Sequence, residues 1–145
     1  MRRGFTLIEV IIVLAISLLL IAFAISIYGQ FQKFAQLNDM HDQIAQTLHI
    51  AEQRARAGYN NSVHGVYIES DGVTLFQGSS YGVRQSEYDR VIHVPTGLSL
   101  SSALPGDEVI FSKGFALPSA TGTIEIFYNE ALGRTVTIKQ FGVVD

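Results

Sequence analysis

The 145-residue chain contains no cysteine. Neither a disulfide nor a thiolate metal site can therefore staple its fold. Positive charge is also in short supply, with a formal net charge of −3. Non-specific binding to nucleic acid needs clustered cations, so that partner is disfavoured. No internal repeat, low-complexity tract or long linker interrupts the chain. The most consequential absence is local. Residues 10–27, "VIIVLAISLLLIAFAISI", carry no charge at all.

As a helix, those eighteen residues would span about 27 Å, close to the hydrocarbon thickness of a bilayer. Ser17 and Ser26 alone interrupt the run, and their hydroxyls can bond back to the preceding turn. A helix that is apolar on every side needs a large core or lipid. About 115 residues remain after it, too few to surround it. Lipid is the expected environment. Arg2 and Arg3 precede the run, and the first charge after it is Lys33. That bias predicts a cytoplasmic N-terminus and an extracytoplasmic remainder.

Glu9, just inside the start of the run, needs explaining, because a carboxylate in lipid costs about 2–3 kcal/mol. Three readings compete. One is a plain signal anchor. Another is a cleaved secretory signal ending at Ala22-Phe23-Ala24, but the run is too long and contains Glu9. The third is a cut between Gly4 and Phe5, which leaves the apolar helix on the mature chain. That cut creates an α-amine at Phe5, one helical turn from Glu9. The new cation can meet the acid of the same chain or of a neighbour.

The stretch "RRGFTLIEVIIVLAIS" resembles the class III signal of type IV pilins and pseudopilins. The resemblance implies cleavage at Gly4-Phe5 by a membrane prepilin peptidase and N-methylation of Phe5. It also implies that Glu9 pairs with a neighbouring subunit's N-terminus during filament assembly. The implied partners are the peptidase, other pilin or pseudopilin subunits, an inner-membrane assembly platform, and membrane lipid before assembly. The filament, of pilus or type II secretion kind, is then extracellular or periplasmic. Major pilins often carry glycine and proline within the apolar helix. Here Leu18 and Ser26 stand in those places, and the first potential weak point is Gly29, so a more continuous helix is expected.

From 30 to 57 the pattern is amphipathic. Phe31, Phe34, Leu37, His41, Ile44, Leu48, Ala51 and Ala55 recur at spacings of three and four. Arg54, Arg56 and Gly58 signal the helix end. The predicted helix thus runs over 5–57, with its apolar half at 5–29, after a leader at 1–4. Beyond it the period becomes two. Runs at "VHGVYIES", "VTLFQG", "RVIHVP", "LSLSSA" and "EVIFSKG" precede a hairpin of 123–128 and 134–143, turning through 129–133. Seven strands without a helix between them predict an antiparallel sheet or two packed sheets, with the long helix along one face. The fold class is α+β, and 58–145 form its β-rich domain. Residues 79–89 are the longest predicted loop. This part resembles the globular domain of H-type minor pseudopilins and their FimT-like relatives, through "GVYIESDGVTLFQGSSY", "EVIFSKG", "TGTIEI" and "VTIKQFGVV".

Catalytic patterns are weak. Gly78-Ser79-Ser80-Tyr81-Gly82 is a formal G-x-S-x-G with Asp89 and His93 downstream, but no helical period follows it, as a nucleophile elbow requires. His41 and His49 are eight apart, not an i, i+4 metal pair. Asp71 and Asp107-Glu108 sit in predicted turns. Asn60-Asn61-Ser62 is a glycosylation sequon only in a host that uses it. No catalytic residue, cofactor or metal is expected, and the chain is read as structural rather than enzymatic. The alternative is a minor tip pilin that binds DNA or a surface ligand. Some FimT-like proteins are associated with DNA uptake through a basic C-terminal stretch. Gly133-Arg134 stands near that place, with Val136 where a second arginine would be wanted and Lys139 beyond.

Overall fold

The computed structural model describes Gly4, residues 6–128 and residues 132–144. Arg2, Arg3, Phe5 and the predicted turn residues 129–131 lie outside the described residues. The fold is α+β: one long N-terminal helix, then antiparallel strands. The chain divides into two compact units, 1–35 and 36–145.

The helix, α1, is Leu7–Arg56. It passes through Gly29 without a break, as expected of a run that lacks proline. Ser17 Oγ donates to the Val13 carbonyl at 2.8 Å, the predicted back-bond to the preceding turn. The Ser26 side chain lies outside the described residues. The helix ends where the sequence signals it. Gly58 takes a left-handed φ of 62°, and its N–H reaches the Ala55 carbonyl at 3.1 Å. Glycine is the residue for that conformation.

The unit 36–145 has two four-stranded sheets. The first comprises β1 (His64–Glu69), β2 (Gly72–Gln77), β3 (Arg90–His93) and β5 (Glu108–Phe111) in the order β3-β2-β1-β5. The second comprises β4 (Leu98–Ser102), β6 (Gly122–Tyr128), β7 (Leu132–Lys139) and β8 (Gly142–Val144) in the order β4-β6-β7-β8. Every pairing is antiparallel. Asp71-Gly72 turns β1 into β2, with Glu69 opposite Gly72. The run predicted as one strand over 134–143 is corrected: it breaks at Gln140-Phe141, and Lys139 pairs with Gly142 across the turn. The described strands therefore number eight. Gly133, read as a turn residue, lies in β7 opposite Phe127.

One core joins the helix to both sheets. Leu37, Met40, Ile44, Leu48, Ala51 and Ala55 meet Val66, Val73, Leu75 and Phe111 of the first sheet and Ile124, Ile126, Val136 and Ile138 of the second. The helical stripe needs one correction. Phe31 and Phe34 stay 73% and 47% exposed, and the buried face starts at Leu37. Met40, Ala45 and Thr47 complete that face. The Thr47 hydroxyl is accommodated by its bond to the Gln43 carbonyl at 2.7 Å.

Strand β2 is buried along its whole length, on both faces. Val73 and Leu75 point into the core. Thr74 and Phe76, on the other face, are covered too. The cover is the stretch predicted as the longest loop. It folds into two short 3-10 turns, Tyr81–Val83 and Ser86–Tyr88. The Tyr81 ring stacks on Tyr67 at 3.8 Å, and its edge meets Phe76 at 5.7 Å. The Arg84 guanidinium lies 3.7 Å from the Tyr81 ring centroid. Arg84 Nε also donates to Asp89 Oδ2 at 2.7 Å, and the Tyr81 N–H donates to Glu108 Oε2 at 2.7 Å. Cation–π and aromatic stacking thus make a second small core from a segment with no hydrophobic period.

His64 opens β1 beneath the end of α1 and is 1% exposed. Its Nε2 faces the Tyr59 carbonyl at 3.1 Å. A carbonyl only accepts, so Nε2 carries the proton. Nδ1 is left buried and without a partner. Burial, and then the Arg54 guanidinium, lower its pKa below the ordinary 6.5, against the raising effect of the Tyr59 bond. The unfolded chain therefore takes up a proton that the folded domain refuses. Stability is full above about pH 6.5 and falls as the pH drops from there toward the folded value. Thermal unfolding of the chain at pH 7.5 and at 5.5 checks this. The loss on acidification is expected to be larger in the wild type than in His64→Gln.

Candidate functional site

The first residues of α1 form the candidate site. Thr6 sits immediately before the helix, and the Glu9 N–H reaches its carbonyl at 3.1 Å and its Oγ1 at 3.4 Å. Thr6-x-x-Glu9 is the pattern of a capping box, in which the cap hydroxyl takes the N–H three residues on. The acid also lies in the first helical turn, where the positive end of the helix dipole favours it. Glu9 thus has a local role that the sequence reading passed over, although threonine three residues before glutamate was there to be read. Its side chain is exposed, as is Gly4. Phe5 lies outside the described residues, so the structure gives no distance between its amine and Glu9.

Past the cap, the helix has an 18-residue window of mean hydropathy 3.2, none of it buried. Leu7, Ile8, Leu18, Leu20 and Phe23 are each more than 60% exposed. Such a surface in water would be an association or membrane surface. Among the described residues, this is the one helix long and apolar enough to cross a bilayer. It fits a single-pass anchor.

The other sequence candidates have separate engagements. Ser80 Oγ accepts the Gly82 N–H at 3.2 Å and caps a 3-10 turn. Asp89 is paired with Arg84, and His93 is exposed on the edge strand β3. Each has a structural setting, and none is bonded to another. His41 Nδ1 meets Asp42 Oδ1 at 3.1 Å. His49 Nδ1 lies 3.6 Å from Glu52 Oε2, three residues on along the helix. Among the described residues, no group of three or more His, Cys, Asp or Glu could hold a metal ion. Near the C-terminus, Arg134 Nε donates to Asn38 Oδ1 at 3.1 Å, while Val136 is fully buried. Asn60 and Asn61 of the sequon hold left-handed turns, and their side chains are bonded to Gln77 and Lys113.

Residues 1–25 match a family model described as the prokaryotic N-terminal methylation motif. No curated protein and no solved structure is matched by the chain. The motif covers the described cap and most of the exposed apolar run, and leaves the β-rich unit outside it. The methylation motif thus leads into the exposed apolar part of the helix, and the antiparallel β body follows it.

Proposed function

We propose that this chain is a prepilin whose mature form is a structural subunit of a type IV pilus-like or type II secretion pseudopilus filament. The observation that carries it is the methylation motif at residues 1–25 on a helix whose N-terminal apolar run is exposed. The leader, 1–4, is removed by a prepilin peptidase between Gly4 and Phe5, and Phe5 is N-methylated. Before assembly the helix anchors the chain in the membrane, N-terminus cytoplasmic and β-rich domain extracytoplasmic. An inner-membrane platform then moves it into the filament, where apolar helices bundle and lipid is replaced by neighbouring subunits. Glu9 meets a neighbour's Phe5 amine, so that neither charge is stranded in hydrocarbon. The work is assembly, not turnover, and within the family the β-rich domain is most like an H-type minor pseudopilin.

The test is the N-terminus of the chain recovered from its host. Edman sequencing and intact mass should find a chain that begins at methylated Phe5. Gly4→Val should retain the full precursor in the membrane. A mature chain beginning at Ile25 or keeping Arg2 and Arg3 would overturn the proposal.

A further inference from the structure

Phenylalanine, tyrosine and tryptophan are distributed unevenly along α1. Residues 7–27 hold one of them, Phe23, and residues 35–58 hold none, whereas Tyr28, Phe31 and Phe34 fall within seven consecutive positions. All three are exposed, at 72%, 73% and 47%. At roughly 100° per residue they share an arc of about 120° on the helix surface, and Gln30, Gln32 and Lys33 occupy the rest of the circumference. The stripe is therefore one-sided. Three such rings left in water form an apolar patch that calls for a partner.

The place of the stripe identifies that partner. It begins directly after the uncharged run, and Lys33 is the first charge beyond that run. The helix is continuous from Leu7 through this segment, so Tyr28 lies about 31 Å along the axis from Leu7, close to the thickness of the hydrocarbon layer. With Leu7 at one boundary, Tyr28 stands at the other. Phe34 is about 9 Å further out, and about 5–8 Å on each side of the hydrocarbon belongs to the headgroups. The stripe thus covers the depth of the headgroup zone. Aromatic rings suit that zone, and the Tyr28 hydroxyl adds a polar tip that water and headgroups satisfy. Where the same helix packs in the protein core it uses aliphatic side chains instead, from Leu37 to Ala55.

We infer that the Tyr28–Phe31–Phe34 stripe docks on the extracytoplasmic headgroup layer of the bilayer while the chain is membrane-anchored. Its one-sidedness has a mechanical cause. Transmembrane helices incline by about 20° on average. An inclined helix overhangs the membrane on one side just beyond the boundary, and only that side meets lipid. Interfacial aromatic anchors set tilt and rotation, so the stripe fixes which way the helix leans and how deep it sits. Holding that depth keeps Glu9, about 28 Å back along the axis, near the opposite boundary. The inference rests on the membrane-anchored stage of the filament reading and adds to it the contact that orients the helix before assembly.

The chain contains no tryptophan, so a single introduced tryptophan reports its own surroundings. Gln32→Trp and Phe34→Trp place it on nearly opposite sides of the helix, with position 34 about 3 Å further from the run. Leu18→Trp reports the anchor itself. Each full-length variant is reconstituted in phosphatidylethanolamine–phosphatidylglycerol vesicles whose lipid carries bromine either near the glycerol or near the chain ends. Bromine near the glycerol is expected to quench Phe34→Trp at least threefold more than Gln32→Trp, although depth along the axis alone would give the reverse order. Phe31→Trp should behave like Phe34→Trp, and chain-end bromine should quench Leu18→Trp most. Equal quenching at 32 and 34, or more at 32, would overturn the inference. Quenching at 34 by aqueous iodide instead of bromine would overturn it too. So would protection from both, which would mean that protein, such as a second copy, covers the stripe. In each of these cases a quenched Leu18→Trp leaves the membrane anchor standing, and an unquenched one removes both.

Discussion

Glu9→Ala is expected to leave the protein made and processed while lowering its recovery in filaments at least tenfold. A carboxylate and an amine 4 Å apart attract by about 4 kcal/mol at an effective dielectric constant near 20. Losing even a third of that is a tenfold change in an equilibrium. The structure adds a competing explanation, because Glu9 stands three residues after the Thr6 cap and its N–H bonds to Thr6. Two further substitutions separate the roles. Glu9→Gln keeps a capping-box side chain and removes the charge. Thr6→Ala keeps the charge and removes the cap, at a cost of about 1 kcal/mol. If pairing drives assembly, Glu9→Gln fails like Glu9→Ala, and Thr6→Ala assembles near the wild-type level. Sedimentation of sheared filaments with immunodetection reads all three. Normal yield from Glu9→Gln would leave the acid with its capping role alone.

The second large effect lies in the β-rich unit. Gly65→Ala is expected to destabilise it by roughly 3 kcal/mol, the upper part of the range for overpacking. A Cβ at this position would stand 2.5 Å from Phe76 Cζ and 2.8 Å from the Val109 carbonyl oxygen. The ring can move only by disturbing Tyr81, whose stacking holds the 79–89 segment down, and the carbonyl belongs to the neighbouring strand. At roughly 4–8 °C per kcal/mol for a domain near this size, the midpoint should fall by about 12–24 °C. Near-UV circular dichroism of the tyrosines in the detergent-solubilised chain follows the transition. A smaller side chain in place of the ring should recover part of the loss. Phe76→Leu placed in the Gly65→Ala background is expected to cost less than it does alone. Additive losses would mean that the two residues do not compete for the same space.

The contrast between these sites says why one half of the molecule was easy to read and the other was not. The apolar run, its flanking arginines, Glu9 and the Gly58 helix stop are local signals, each set by neighbours along the chain. The strand periods and the Asp71-Gly72 turn were legible for the same reason. Two local features still escaped notice: the Thr6 cap, written in a four-residue pattern, and the break at Gln140-Phe141. The covering of β2 by 79–89 had no local signal. Tyr81 stacks on a residue fourteen positions earlier, and no period marks a segment that is folded by an arginine, two tyrosines and a glutamate from β5. Phe31 and Phe34 failed in the opposite sense, since they keep the helical spacing of the core and stay exposed. Their spacing defines a helix face, but what covers it depends on where the β-rich unit begins to contact the helix, at Leu37.

Residue order alone specified an anchor-length helix, the N-terminal methylation motif of residues 1–25, and an antiparallel body after Gly58. All of these follow from short-range chemistry: hydropathy, capping and strand alternation. Folding in three dimensions decided the division into two sheets, the burial of Phe76 over Gly65, and the lone buried nitrogen of His64. Those depend on strand register and on contacts between residues far apart in the chain, which no local pattern of side chains encodes.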